Sequence, residues 1–171
     1  MIQYAIFLLI VLAIAGFDRE LLAWRRPRSW PRAAGLAAAV VVALLVVIQL
    51  LELVLNAGEE QGLVPDEWDS SKAGAYALSF VAVAVIAPIV EELTYRGLGY
   101  SLLEPFGRWV AIVVTGALFA ASHGLIEGFP ELMLFGCALA WLRSETDSVF
   151  PGMAVHAVFN AAALILVVLI A

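Results

Sequence analysis

"AAGLAAAVVVALLVVIQLLELVL", residues 33–55, runs for 23 positions with a single charge, Glu52. As an α-helix this stretch is about 34 Å long, enough to cross the roughly 30 Å hydrocarbon core of a bilayer. Backbone N–H and C=O groups cannot go unpaired in lipid, so an apolar run of this length is read as a helix. The rest of the 171-residue chain is of the same kind. Hydrophobic residues make up 64% of it, against about 45–50% in a soluble globular domain. The expected fold is all-α, a polytopic transmembrane helix bundle with the lipid bilayer as its surroundings.

Outward from that segment, six apolar stretches are expected to be helical: about 2–17, 33–55, 73–90, 109–123, 131–142 and 149–171. The first and fifth are short for full spans. No internal repeat, low-complexity tract or linker divides the chain, so residues 1–171 are expected to form a single membrane domain. The N-terminal "MIQYAIFLLIVLAIAGF" has no basic residues before it. Its arginines follow it, as expected of a retained first span rather than a cleaved signal peptide.

Charge orients the bundle. Arg19, Arg25, Arg26, Arg28 and Arg32 place segment 17–32 on the cytoplasmic side, and the acidic stretch 56–72 then falls outside. Arg96 and Arg108 flank a second cytoplasmic turn, "EGFPE" (127–131) is outside, and Arg143 returns to the cytoplasm. Six spans put both termini outside, in a multi-pass protein of the cell membrane. The net charge of −6 is spread over loops, and without a basic stripe no nucleic-acid partner is expected. The lone cysteine, Cys137, lies in an apolar run and is read as packing.

Against this background "IAPIVEELTYRG", residues 86–97, is anomalous. Charges at membrane depth are costly and mark a functional site or an internal ion pair. Glu92 and Arg96 stand four apart on one helix face, with the acid first, in the order that favours pairing. Glu91 points about 100° away from Glu92 and is left to another role. Both histidines also lie in apolar surroundings. "ALFAASH" sets Phe119 four residues before His123 on one helix face, and "HAVFN" sets His156 and Asn160 four apart on another. A single buried histidine is more often a hydrogen-bonded core residue, but two of them with an asparagine and an unpaired glutamate shift that balance.

Depth brings these groups together. If the third helix continues to about Leu103, turns through "EPFG" and returns from Arg108, Glu91 lies about 18 Å and His123 about 22 Å from the turn. From a turn near Ser148, His156 lies roughly 12 Å down, within reach if its helix tilts. One intramembrane pocket open to the cytoplasm is therefore expected.

Glu91-Glu92-x-x-x-Arg96, Phe119-x-x-x-His123 and His156-x-x-x-Asn160, in that order, resemble the motifs of the CAAX-protease and bacteriocin-processing family, also called the Abi family. These are integral membrane proteins, among them the endoproteases that trim prenylated CAAX tails. The resemblance covers about residues 76–165, the expected catalytic core, and only two spans precede it. It implies that Glu91 is the general base that activates water, with help from His123. It further implies that His156 and Asn160 stabilise the oxyanion and that Glu92 and Arg96 support them. The chemistry is consistent with these roles. A carboxylate in a low-dielectric pocket is a stronger base than in water, and one oxyanion donor is commonly worth about 3 kcal/mol. Pro88, one turn before Glu91, withholds an N–H and so frees a backbone carbonyl.

Two rival readings remain at this stage. Glu91, His123 and His156 could form a zinc set with Glu92 as base, although the usual H-E-x-x-H helix is absent. Neither metal nor cofactor is expected. A non-catalytic membrane protein of the same fold, acting as an immunity or assembly factor, is the other. Ser122 points about 100° from His123 on a helix, which disfavours a serine mechanism. One lysine against eight arginines, with acidic loops, hints at a prokaryotic source. The expected substrate is then a leader peptide or the tail of a membrane protein rather than a prenylated one.

Overall fold

A computed structural model describes residues 2–55 and 69–170 of the chain. Most of the acidic stretch expected outside, residues 56–68, lies outside the described residues. Among the described residues, six helices make up the bundle: α1 (Ile2–Ala15), α2 (Trp30–Leu51), α3 (Ala73–Phe106), α4 (Arg108–Ala121), α5 (Phe129–Thr146) and α6 (Phe150–Ile170). No strand occurs among the described residues. By length and apolar composition, α2 and α3 can each cross a bilayer.

Side-chain placement inverts the soluble pattern. Glu91, Glu92, Arg96, Glu131, Arg143 and His156 are buried, while Ile2, Leu9, Val42, Leu50, Leu78, Leu118 and Leu169 are exposed. Burying charges beneath an apolar exterior stabilises a fold only where the exterior meets lipid. The protein is therefore membrane-embedded.

Helix ends follow local chemistry rather than hydropathy. The second helix starts at Trp30, ahead of the apolar run, because Ser29 is its N-cap and accepts from the Arg32 N–H, with Pro31 in the first turn. The fifth reaches from Phe129 to Thr146 instead of stopping with the apolar stretch 131–142. Charges in its last turn are paired: Arg143 donates to Asp147 Oδ1 at 3.0 Å, and Glu145 accepts from Arg108 at 2.6 Å and from Arg32 at 2.9 Å. Asp147 then closes the helix in the left-handed region, with φ 55°.

The third helix is not regular throughout. Ala87 N–H reaches back five residues to Ala82 O, and a second widened turn spans Leu93–Gly99. Such turns add a residue to a helix and often occur at functional sites. Beyond Phe106, Gly107 turns the chain with φ 120°, and α4 runs back along α3.

The core joins Val40 and Leu44 of α2, Tyr95 of α3, Phe119 of α4, Phe135, Leu139 and Leu142 of α5, and Val155 of α6. Helices α4 and α5 pack closely against each other. A Cβ on Gly136 would lie 2.9 Å from the Gly116 backbone, and one on Gly116 would meet Cys137 Sγ at 2.5 Å. Glycine pairs of this kind let membrane helices pack backbone to backbone. Cys137 therefore has a packing position, with Sγ 3.7 Å from Ile112 O. The segment after α1 docks just as closely, since a Cβ on Gly97 would meet Leu22 O at 2.8 Å. Arg25 fastens it to the α5–α6 turn through Asp147.

Candidate active site

Glu91 and Glu92 end the regular turn between the two widened stretches of α3, and both are buried. The Glu92–Arg96 pair is fully enclosed. Arg96 Nη1 donates to Glu92 Oε1 at 2.8 Å, and Nη2 donates to the Gly136 carbonyl of α5, also at 2.8 Å. The guanidinium lies over the Phe119 ring, 4.6 Å from its centroid. This cation–π contact and the two hydrogen bonds offset the desolvation of a charge held away from water.

His156, on α6, lies in the angle between the two glutamates. Its Nδ1 is 3.3 Å from Glu92 Oε1, and its Nε2 is 3.6 Å from Glu91 Oε2. The expectation that adjacent glutamates diverge into separate roles is thus met only in part, because both meet one imidazole on opposite nitrogens. Nδ1–H is the donor to Glu92, which leaves Nε2 facing Glu91. At 3.6 Å that contact is longer than a hydrogen bond, so Nε2 is not locked to the carboxylate. Rings of Phe119 and Phe135 hold the imidazole edge-on, with centroids 5.6 and 5.2 Å away.

His123 differs from its sequence reading in one respect. Helix α4 ends at Ala121, so His123 lies in the turn after it, followed by Gly124 at φ 70°. The relation to Phe119 persists: the two rings are 4.7 Å apart, and His123 Nδ1–H donates to Phe119 O at 2.8 Å. A carbonyl can only accept, so the neutral ring leaves Nε2 free as an acceptor. Phe119 thereby touches both histidines and Arg96. Glu91 lies within electrostatic reach of His156, His123, Glu92 and Arg96.

Asn160 lies one turn after His156 on α6 and donates from Nδ2 to Val83 O of α3 at 2.8 Å. Among the described residues, no group of three or more histidine, cysteine, aspartate or glutamate side chains is arranged to hold a metal ion.

Some of the site cannot be read from motifs. The Gly136 carbonyl and the Val83 carbonyl are backbone atoms with no residue-type signature. Phe135 looks like any core aromatic. Gly152 does carry a signal: it precedes His156 by four residues, and a Cβ there would meet Glu92 Oε2 at 2.6 Å. Only glycine lets α6 come this close to the glutamate. Tyr4 of α1 is a further neighbour, within electrostatic reach of Glu91.

Neither a curated protein nor a solved structure matches the chain. A family model described as type II CAAX prenyl endopeptidase Rce1-like matches residues 73–162, just over half of the sequence and all three motifs. These are membrane-embedded proteases that act on protein or peptide substrates, and this chain belongs to the type II CAAX prenyl endopeptidase Rce1-like family.

Proposed function

We propose that the protein is a six-span, single-domain intramembrane endopeptidase whose site opens to the cytoplasm. Glu91, assisted by His123, activates water in it, while His156 and Asn160 bind the oxyanion. The observation that carries this reading is the position of His156, held on Nδ1 by Glu92 with Nε2 free toward Glu91. With both nitrogens protonated, the ring donates from Nε2 to developing negative charge while Nδ1 stays on Glu92. Asn160 uses one amide hydrogen on Val83 and keeps a second for the same purpose.

The step is a balanced hydrolysis. Glu91 takes a proton from water, and the hydroxide oxygen bonds to the scissile carbonyl carbon. The resulting oxyanion meets His156 and Asn160. Collapse breaks the C–N bond, and Glu91 returns its proton to the leaving amine. Free Nε2 of His123 can accept the water's second hydrogen. Neither metal nor cofactor enters this reading.

The substrate class proposed is a leader peptide or the cytoplasmic tail of a membrane protein. Two internally quenched peptides of one sequence, with and without a farnesylated CAAX cysteine, test it with purified protein. Cleavage of the unmodified peptide that disappears in Glu91→Gln is expected. Cleavage of the farnesylated peptide alone would overturn the substrate class, and an active Glu91→Gln variant would overturn the mechanism. Comparative proteomics of membranes from cells with wild-type or Glu91→Ala protein would then identify the natural substrate.

A further inference from the structure

Asn160 reaches its acceptor only because α3 fails, at one point, to use its own carbonyl. In a regular helix Val83 O would accept from the N–H of Ala87, four residues on. That N–H is taken by Ala82 O in the widened turn. In a five-residue ladder the donor for Val83 O would be residue 88, and residue 88 is Pro88, which has no N–H. Both donors a helix could offer are therefore withheld. Nδ2 of Asn160 fills the gap at 2.8 Å across the α3–α6 interface.

We propose that Pro88 is a positioning residue for Asn160, acting through the Val83 carbonyl that it leaves unpaired. This rests on the role proposed for Asn160. A carboxamide can turn over about its last bond and exchange its donor for its acceptor end. An unpaired carbonyl in an apolar surrounding accepts only a donor, so Val83 O fixes the NH₂ group toward α3. The carboxamide is thereby held in one orientation before any substrate arrives. Two elements that meet at the site are also joined to each other at Val83, about two turns before Glu91 on α3. Pro88 is itself buried, so it does more than mark a kink at the lipid boundary.

Four proteins test this: wild type, Pro88→Ala, Asn160→Ala and the double variant, each purified in detergent and assayed with the quenched unmodified peptide. Pro88→Ala should lower kcat about tenfold or more through misplacement of the amide, with KM little changed. The double variant should be no slower than Asn160→Ala alone. A Pro88→Ala variant with wild-type kcat, or a double variant showing the product of the two single losses, would overturn the proposal.

Thermal unfolding of the same four proteins reads the link without any turnover. Asn160→Ala strands Val83 O when residue 88 is proline. It does not do so in Pro88→Ala, where the new N–H at that position, or a relaxed Ala87, can donate to the carbonyl. The midpoint should therefore fall further when Asn160→Ala is made in the wild-type background than in the Pro88→Ala background. Equal falls would refute the link. Unchanged turnover in Asn160→Ala, with unequal falls, would instead refute the oxyanion role and leave the Pro88–Asn160 link standing.

Discussion

Replacing Glu92 with glutamine should separate the supporting ion pair from the chemistry. The substitution keeps the shape of the side chain and an oxygen that can still accept from Arg96. It removes the charge that offsets a guanidinium with no solvent exposure. Arg96 would keep its bond to the Gly136 carbonyl and its place over Phe119, and neither neutralises it. Removing one partner of a buried pair costs about 3–5 kcal/mol. For a chain of this size that corresponds to a fall in midpoint on the order of 10 °C. Glu91→Gln should differ. Glu91 has only a 3.6 Å contact with His156, so the midpoint should move little while peptide hydrolysis stops. Thermal unfolding in one detergent, paired with the quenched-peptide assay, gives both numbers for each variant. The double variant Glu92→Gln/Arg96→Met is the control. Replacing both members of a buried pair by groups of similar volume is often close to neutral, so it should recover much of the lost stability. A Glu92→Gln protein as stable as wild type but inactive, beside an active Glu91→Gln, would reverse the assignment of the two glutamates.

Four further outcomes are expected. Gly152→Ala puts a methyl 2.6 Å from Glu92 Oε2; overpacking of this kind typically costs about 1–3 kcal/mol, so both midpoint and turnover should fall, and an unchanged protein would show that α6 has slack there. At Asp147, burial opposes ionisation, but the hydrogen bond from Arg25 and the charge of Arg143 outweigh it and hold the carboxyl below the usual aspartate range. Its contribution is therefore present at neutral pH and lost as pH falls through that depressed value, so the stability gap between wild type and Asp147→Asn should close on strong acidification; a gap independent of pH would refute this. With Cys137 replaced by alanine, a cysteine at Glu127 should react with a membrane-impermeant reagent in intact cells and one at Arg26 should not; the reverse would place the site on the outer side. Prolonged chelation should leave hydrolysis intact, and stoichiometric zinc with activity restored by added metal would make Glu91 and both histidines ligands instead.

What can be read in the sequence, and what cannot, divides along a physical line. Features set by spacing on one helix are accessible. The Glu92–Arg96 pair follows from a four-residue separation, and the structure gives it at 2.8 Å. The continuation of α3 past Glu91 to the "EPFG" turn is the condition under which the polar groups meet at one depth, and the helix does run on to Phe106. Hydropathy alone cuts α5 short at its C-terminal end because it scores Arg143 as a surface residue. Arg143 is buried and paired with Asp147. A window average cannot see a partner four residues downstream.

Features set by departures from helical regularity are hidden. A regular helix sends Glu91 and Glu92 about 100° apart, and no spacing rule places one imidazole in the angle between them. That needs α6 packed tightly against Glu92, which depends on the missing side chain of Gly152. Pro88 announces a free carbonyl, but the receiver of that carbonyl depends on a widened turn no residue pattern spells out. The same turn decides how Asn160 is held. In the sequence Asn160 is simply a polar residue one turn from a histidine. In the fold its amide closes a gap in another helix, and the donor left over is the one that the proposed oxyanion role would use. A site made partly of unpaired backbone is therefore tied to one packing of α3 on α6, and substitutions that restore regular hydrogen bonding in α3 should cost activity without touching a motif residue.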